Sequence, residues 1–319
     1  MKHYFTKRTG LKTLLLLTAM VLVFASCKKR KAFNAEDGQD LVDVTDIRSQ
    51  TDLVLADANE AISNQFFLRG KSSSLEGAAA GATNCALVMD SSLIYSGKII
   101  FNYTGSVCDN LKREGQVVVS ISNYPTKKWK DKGAVLQITF INYVVTNASD
   151  GRVMKINGSM NVTNISGGTW YELRYLNQSN LVQTISAADL AITFDKTYLV
   201  NCNLERSVTF NLQGTIINAF DEGTASQNNN NNVDCWGADR NEKTFTDLID
   251  SPIYWSSKCT AARAKSGEVT LKVDGKYFDL KGTYGTDTDG NAITSNDCAY
   301  GWKMSWTLRN NTKHRVFSY

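Results

Sequence analysis

The sequence has little histidine: it contains only His3 and His314 in 319 residues. Nucleophilic sites of the Ser-His-Asp or Cys-His type need a histidine base, and many zinc sites use several histidines. His3 lies in a leader that we expect to be removed. The remaining His314 is five residues from the end of the chain, so hydrolases and metal enzymes of these classes are not expected.

The sequence also lacks a long apolar run. The stretch from Thr13 to Ala25 is rich in leucine but is too short to cross a bilayer, which takes about 20 residues. It follows the basic residues Lys2, Lys7, Arg8 and Lys12, an arrangement typical of a secretory signal.

A lipoprotein processing site is the interpretation that we prefer for residues 23–27. Small residues, Ala25 and Ser26, stand before Cys27, as processing at a lipidated cysteine requires. The alternative is an ordinary signal peptide followed by a chance cysteine. We therefore predict a signal peptide over 1–26 and an acylated Cys27, which places the protein on the outer membrane, on either its periplasmic or its cell-surface side.

An excess of positive charge is absent once the leader is removed. The full chain has 35 Lys and Arg against 31 Asp and Glu. The leader holds four basic residues and no acidic ones, so the mature chain is formally neutral. Nucleic-acid binding needs clustered basic residues, and we expect no nucleic-acid partner.

Six cysteines remain after Cys27, with long spacings and no C-x-x-C pair. An even number in an exported chain favours disulfides over zinc. Cys85 and Cys108 bracket one apolar hairpin, and Cys259 and Cys298 bracket another, which leaves Cys202 with Cys235. Free buried thiols are the alternative.

One short helix is predicted near the start of the mature chain. Leu53, Ala56, Ala61, Ile62 and Phe66 recur at roughly helical spacing. We expect a flexible tether over 27–50, a helix over 51–68 with Thr51 as its N-cap, and a linker that runs to residue 83.

From residue 84 to 310 the apolar pattern has the period of a β-strand. Ile99, Phe101 and Tyr103 alternate with polar residues, and so do Trp302, Met304 and Trp306, which we expect in the core. Helical crossovers are missing between these segments, so the fold class is mainly β: a large, twisted antiparallel sheet or sandwich of long hairpins. Residues 311–319 are interpreted as a tail.

Two Asp-Gly pairs mark predicted hairpin turns. Asp150-Gly151 joins long strands near 133–146 and 152–166. Asp274-Gly275 is interpreted as a two-residue turn, which places Val269 opposite Leu280.

Two groups of residues are candidate ligand contacts. Trp170, Tyr171 and Tyr175 lie between turn residues and could stack on sugars or cover the end of the core. Asp287, Asp289, Asn291 and Asp297 form a weak calcium candidate, because the EF-hand pattern fails at Gly285; a polar loop is the better interpretation. No other metal site and no cofactor is predicted.

The chain resembles a family of uncharacterised lipoproteins from Bacteroidota over roughly residues 84–309. The motifs that carry the resemblance are the Cys85–Cys108 hairpin, Lys112-Arg113-Glu114-Gly115, Lys132-Gly133-Ala134-Val135, Thr139-Phe140 with Asn142-Tyr143-Val144, Trp236-Gly237, Arg240-Asn241, Lys243–Phe245 and the Cys259–Cys298 hairpin. The resemblance implies a large antiparallel sheet on a lipid anchor. It implies no activity and no functional residues.

The predicted location therefore says more about the function than any sequence motif does. We expect a membrane-anchored, non-catalytic binding or scaffold protein of the Gram-negative envelope, with a glycan or an envelope protein as its partner. A carbohydrate-binding accessory protein or a carboxylate-dependent glycoside hydrolase is the alternative, because that chemistry needs only an Asp/Glu pair. A pilus or adhesin subunit is a further alternative.

Overall fold

The computed structural model describes residues 38–65, 87–259, 263–294, 297–308 and 310–319. Within these ranges the chain forms two α-helices and one antiparallel sheet of fifteen strands. The predicted mainly β class is confirmed. No helix in the described ranges has the length and apolar character that a membrane crossing needs. The signal peptide, Cys27, Cys85 and the linker to residue 83 lie outside them.

The strands follow one another along the sheet for most of its width. Their bounds are β1 Leu87–Asp90, β2 Lys98–Cys108, β3 Leu111–Ile121, β4 Val135–Asn147, β5 Val153–Asn164, β6 Asn180–Phe194, β7 Tyr198–Gln213, β8 Ile216–Gly223, β9 Ala225–Gln227, β10 Asn230–Ala238, β11 Thr244–Ser256, β12 Ser266–Val273, β13 Leu280–Thr286, β14 Gly301–Leu308 and β15 Asn311–Ser318. Strand β8 pairs with β7 and β11, and β9 pairs with β10.

Helix α1, Gln39–Asn64, is enclosed by the inner face of this sheet. Apolar residues on several sides of it are buried, among them Leu41, Ile47, Leu55 and Ile62. Its polar contacts run around the helix: Asp57 with Tyr103 of β2, Gln50 with Tyr143 of β4, Asn59 with Gln183 of β6, Asp52 with Arg206 of β7, and Arg48 with Tyr284 of β13. Strands from most of the sheet touch one helix, so the sheet curls around it.

A row of β-bulges bends the sheet. The register shifts in each of the pairs from β2–β3 to β6–β7. Gly115 shows the constraint: its φ is 96°, and a Cβ there would lie 2.0 Å from the carbonyl oxygen of Asn142. Because bulges increase local twist, their alignment across neighbouring strands explains how so wide a sheet wraps a helix.

The predicted start of the helix was wrong. The helix covers residues 39–50, which were expected in a tether, and it ends at Asn64 instead of 68. Thr51 is not an N-cap but lies mid-helix, where its Oγ1 donates to the carbonyl oxygen of Ile47. Three charged residues of this segment are buried against partners distant in sequence: Asp40 pairs with Lys276, Asp43 with Arg240, and Arg48 with Asp234.

Two predictions near the C-terminal end were also wrong. The expected tail is strand β15, which pairs along its length with β14. The second Asp-Gly turn is longer than two residues: Leu271, not Val269, lies opposite Leu280. Lys276 reaches from this loop to Asp40 of α1, with its Nζ on Oδ2 at 2.5 Å, which fits a loop drawn toward the helix. A shift of two residues keeps each side chain on its predicted face.

The first Asp-Gly prediction is confirmed, since β4 and β5 form a long hairpin with residues 148–152 at its tip. The disulfides Cys202–Cys235 and Cys259–Cys298 are also confirmed, with Cα separations of 6.4 and 5.3 Å. Cys108 is disulfide-bonded, whereas Cys85 lies outside the described residues.

Candidate functional site

A cavity of about 300 Å³ lies between α1 and the sheet. Its lining comes from one face of α1 between Val42 and Asp52, the tips of the β2–β3 and β4–β5 hairpins, β11, β13, and residues 315–319. This volume is at the lower end of the range for ligand pockets, about 300–1,000 Å³. The cavity is therefore large enough for a small ligand.

Aromatic rings form one wall of the cavity. Tyr284, Trp302 and Phe317 occupy directly paired positions on β13, β14 and β15. Trp302 and Phe317 stack, with ring centroids 4.6 Å apart and planes at 13°. Tyr300 is 48% exposed at the same wall. The prediction that Trp302 lies in the core is confirmed. The alignment of the three rings follows from strand pairing, which the sequence alone does not reveal.

The floor of the cavity meets a buried charge network. Arg48 donates from Nε to Asp234 Oδ2 at 2.8 Å, from Nη1 to the Tyr284 hydroxyl at 2.7 Å, and also to Asp247. Arg206 donates to Asp52 Oδ1 at 2.5 Å and to Asp234 Oδ1 at 3.3 Å. Asp234 thus links the two guanidinium groups.

The network holds more acid than base. Two arginines face Asp52, Asp234, Asp247 and Asp221, whose side chains are all buried, so full ionisation would leave two unbalanced negative charges. Burial raises the pKa of Asp52 to about 6 and that of Asp247 to about 7, despite the opposing arginines. Asp234 lies between both arginines; although burial opposes ionisation, their charges and hydrogen bonds keep its pKa below its ordinary value.

Burial favours the protonated form of Asp221, which removes one of the two excess negative charges. Neither of its oxygens receives a hydrogen bond from a donor, and burial next to Asp52 raises its pKa well above the ordinary value. A protonated Asp221 can donate to Asp52, with which it shares a side-chain hydrogen bond. The two catalytic carboxyl groups of glycoside hydrolases are about 5 to 9.5 Å apart. The hydrogen-bonded carboxyl groups of Asp52 and Asp221 therefore differ from that arrangement.

The rim of the cavity carries further charges. Arg152 bonds Asp46 Oδ2 at 2.8 Å and Asp150 Oδ2 at 2.7 Å. Burial and the neighbouring acids raise the pKa of Asp46 to about 7, with Arg152 opposing the shift. In the described part of the chain, Arg263 and Arg315 also line the cavity and form no ion pair with a carboxylate.

The predicted aromatic contacts lie elsewhere. Trp170 and Tyr175 are the ends of a short helix, α2, Trp170–Tyr175, which sequence reasoning did not predict. Trp170 is buried, with its ring 5.5 Å from that of Phe210, so it covers the core. Tyr171 and the exposed Tyr175 pack on each other at 4.9 Å. None of the three lines the cavity.

The calcium candidate forms a turn. Asp287 Oδ1 accepts hydrogen bonds from the backbone N–H groups of Asp289 and Asn291, at 2.9 and 2.8 Å. These hydrogen bonds lower the pKa of Asp287. Asn291 donates from Nδ2 to Asp287 Oδ2 at 3.3 Å, so its amide presents a donor to the carboxylate. Within the described ranges, no group of three His, Cys, Asp or Glu residues suits a metal ion.

Sequence reasoning missed the residues that form the cavity. Arg48 and Asp52 stand four residues apart, a spacing that puts both on one side of a helix. That signal was hidden because the segment before Thr51 was interpreted as a tether. Arg263 and Arg315 have no local pattern, since only the pairing of distant strands brings them to one opening.

Comparisons with known protein families, curated proteins and solved structures found no match to this chain. The interpretation of the cavity therefore depends on its own residues.

Proposed function

We propose that the protein is a lipid-anchored, non-catalytic binding protein of the cell envelope, and that the cavity beside α1 is its binding site. The observation that carries the proposal is the cavity itself. An aromatic wall faces a polar helix surface, and ligand sites combine apolar or aromatic walls with polar groups that orient the ligand.

The membrane anchor rests on the processing motif at Cys27. Eleven residues separate Cys27 from the first residue of α1. At about 3.3–3.6 Å per residue, they reach at most about 40 Å. An acylated Cys27 would keep the cavity-bearing domain close to the membrane surface, which suits a protein that captures ligands there.

Replacement of the anchor residue tests the location. Cys27→Ser removes the acylated thiol, so we expect the protein to move from the membrane fraction to the soluble fraction, as measured by cell fractionation and immunoblotting. Cys108→Ser, with Cys27 intact, is the matched control and should stay with the membrane. Membrane retention of Cys27→Ser would refute the anchor.

Blocking the cavity tests the binding site. Ser49 lines the cavity from α1 and is partly exposed, so Ser49→Trp should fill the space. We expect a thermal-shift screen of glycans, amino acids and nucleotides to find ligands that raise the melting temperature of the native chain and not of this variant.

Asn64→Trp is the matched control, because Asn64 is exposed at the other end of the helix and should leave the ligand response unchanged. The same ligand response in Ser49→Trp and the native chain would place binding elsewhere. The absence of any ligand would count against a binding protein.

A further inference from the structure

The polar groups that line the cavity fall into two sets. Asp46 is held by Arg152, and Asp52 is held by Arg206. Arg263 and Arg315 instead have no carboxylate partner among the described residues, although both line the opening. A guanidinium group without an acid is suited to an oxyanion of a ligand, which it can bind through two parallel hydrogen bonds.

Arg315 is held in place by the aromatic wall. Its guanidinium carbon lies 4.8 Å from the ring centroid of Phe317, and Phe317 stacks on Trp302. Stacking on a ring limits the rotamers of the side chain and keeps its hydrogen-bond donors free. The wall therefore offers a flat surface and a charged group side by side.

The lining has no net positive charge from its side chains, since four arginines stand beside four aspartates. Asp109, exposed at the β2–β3 tip, forms no ion pair in the described residues. An oxyanion would therefore be attracted by the two unpaired arginines, Arg263 and Arg315, and not by the summed charge of the cavity.

We propose that the cavity binds a saccharide that carries a carboxylate or a sulfate. The C–H face of a sugar ring packs on the wall of Tyr300 and Phe317, and its hydroxyl groups face the polar side chains of α1. The oxyanion binds Arg263 and Arg315. This inference rests on the proposed function, because it names the ligand class of the same cavity.

A glycan array tests the ligand class with the full chain in detergent. The array should include uronic acid glycans, sulfated glycans and their neutral counterparts, with titration calorimetry on each hit. We expect an acidic glycan to bind at least about tenfold more tightly than its neutral counterpart, as a charge-assisted hydrogen bond implies. The uronic acid and sulfated arms distinguish the two sources of the oxyanion.

Single variants test the two arginines. Arg263→Gln and Arg315→Gln should each weaken acidic glycan binding by about tenfold or more, and added salt should weaken binding by the native chain. Lys303→Gln is the charge-matched control: Lys303 lines a separate surface depression formed by β11–β15, so its loss should leave the affinity unchanged.

Each other outcome overturns the ligand class. Equal affinity for neutral and acidic glycans, or arginine variants that bind as the native chain does, would refute the acidic saccharide while the binding function stands. A ligand of another class whose thermal shift is lost in Ser49→Trp would do the same. No ligand in either screen would overturn the proposed function together with this inference.

Discussion

Arg48 and Arg206 allow a helix with charged side chains to lie in the interior of the protein. Each is almost fully buried, and each contacts acids from elements far away in the chain. A buried ion that loses its partner is much more costly than an exposed one. The stability of the helix inside the sheet should therefore depend strongly on these two side chains.

Replacement of Arg48 tests this dependence. Arg48→Met keeps much of the side-chain volume but leaves Asp234 and Asp247 without a main partner. We expect the free energy of unfolding to fall by about 3–5 kcal/mol, as measured by urea unfolding followed by circular dichroism.

The control is Lys112→Met, because Lys112 forms an exposed ion pair with Glu114 at 2.9 Å. Loss of such a pair changes stability by about 0–1 kcal/mol. Similar effects of the two variants would show that the buried network adds little to stability.

Individual core residues of the strands could be predicted, whereas the buried charges could not. Trp302 and Trp306 follow a period of two, and both are buried, because strand geometry alone assigns their face. Asp52 and Asp234 carry no such signal, since a buried acid depends on a partner far away in sequence. The candidate site lies where those distant contacts meet, so its residues escaped prediction.

At the scale of elements, the first half of α1 belongs to the core. Leu41, Val44 and Ile47 are at most 2% exposed. Each buried leucine or isoleucine stabilises a domain by about 2–5 kcal/mol relative to alanine. Residues 39–50 are therefore required for the fold.

Two truncations test this assignment. A chain that begins at Gly38 keeps the whole helix, and we expect it to unfold cooperatively, as measured by differential scanning calorimetry. A chain that begins at Thr51 loses twelve helix residues and should show no cooperative transition. Equal melting temperatures for the two chains would contradict the role of the first half of α1.

Strands were easier to predict than the ends of elements. The β4–β5 hairpin has a turn signal between two long alternating segments, so its position follows from local sequence. The bulges that shift the register between β2 and β7 leave no signal in the local sequence except a few residues whose backbone has a positive φ. Their alignment is a property of the sheet, which explains why the sequence predicts a large twisted sheet or sandwich but not its curl around α1.

At the scale of the whole molecule, stability should depend on pH. The pKa values of Asp52 and Asp247, about 6 and about 7, are above those of the unfolded chain, near 3.9. The folded state then binds more protons than the unfolded state, so this stabilisation is full below about pH 4 and is lost as the pH rises from there through 6 and 7.

We therefore expect the free energy of unfolding to decrease between about pH 5 and pH 8, measured by urea titrations at constant salt. Asp247→Asn mimics the protonated acid, so this variant should have a shallower pH dependence over the same interval. A free energy that is constant or rises over this interval would contradict the proton balance of the network.

The enclosure of α1 also has a consequence for how the chain folds. The helix comes early in the sequence, yet Arg48 finds Tyr284 236 residues later, and Thr45 contacts the same tyrosine across 239 residues. Contacts of such high sequence separation make folding slow. Because the chain is synthesised from its N-terminus, the helix emerges before the strands and exposes its charged and apolar surface until the last strands arrive. A chaperone that holds this segment in the meantime would have a physical reason to bind residues 39–64 before any other part of the protein.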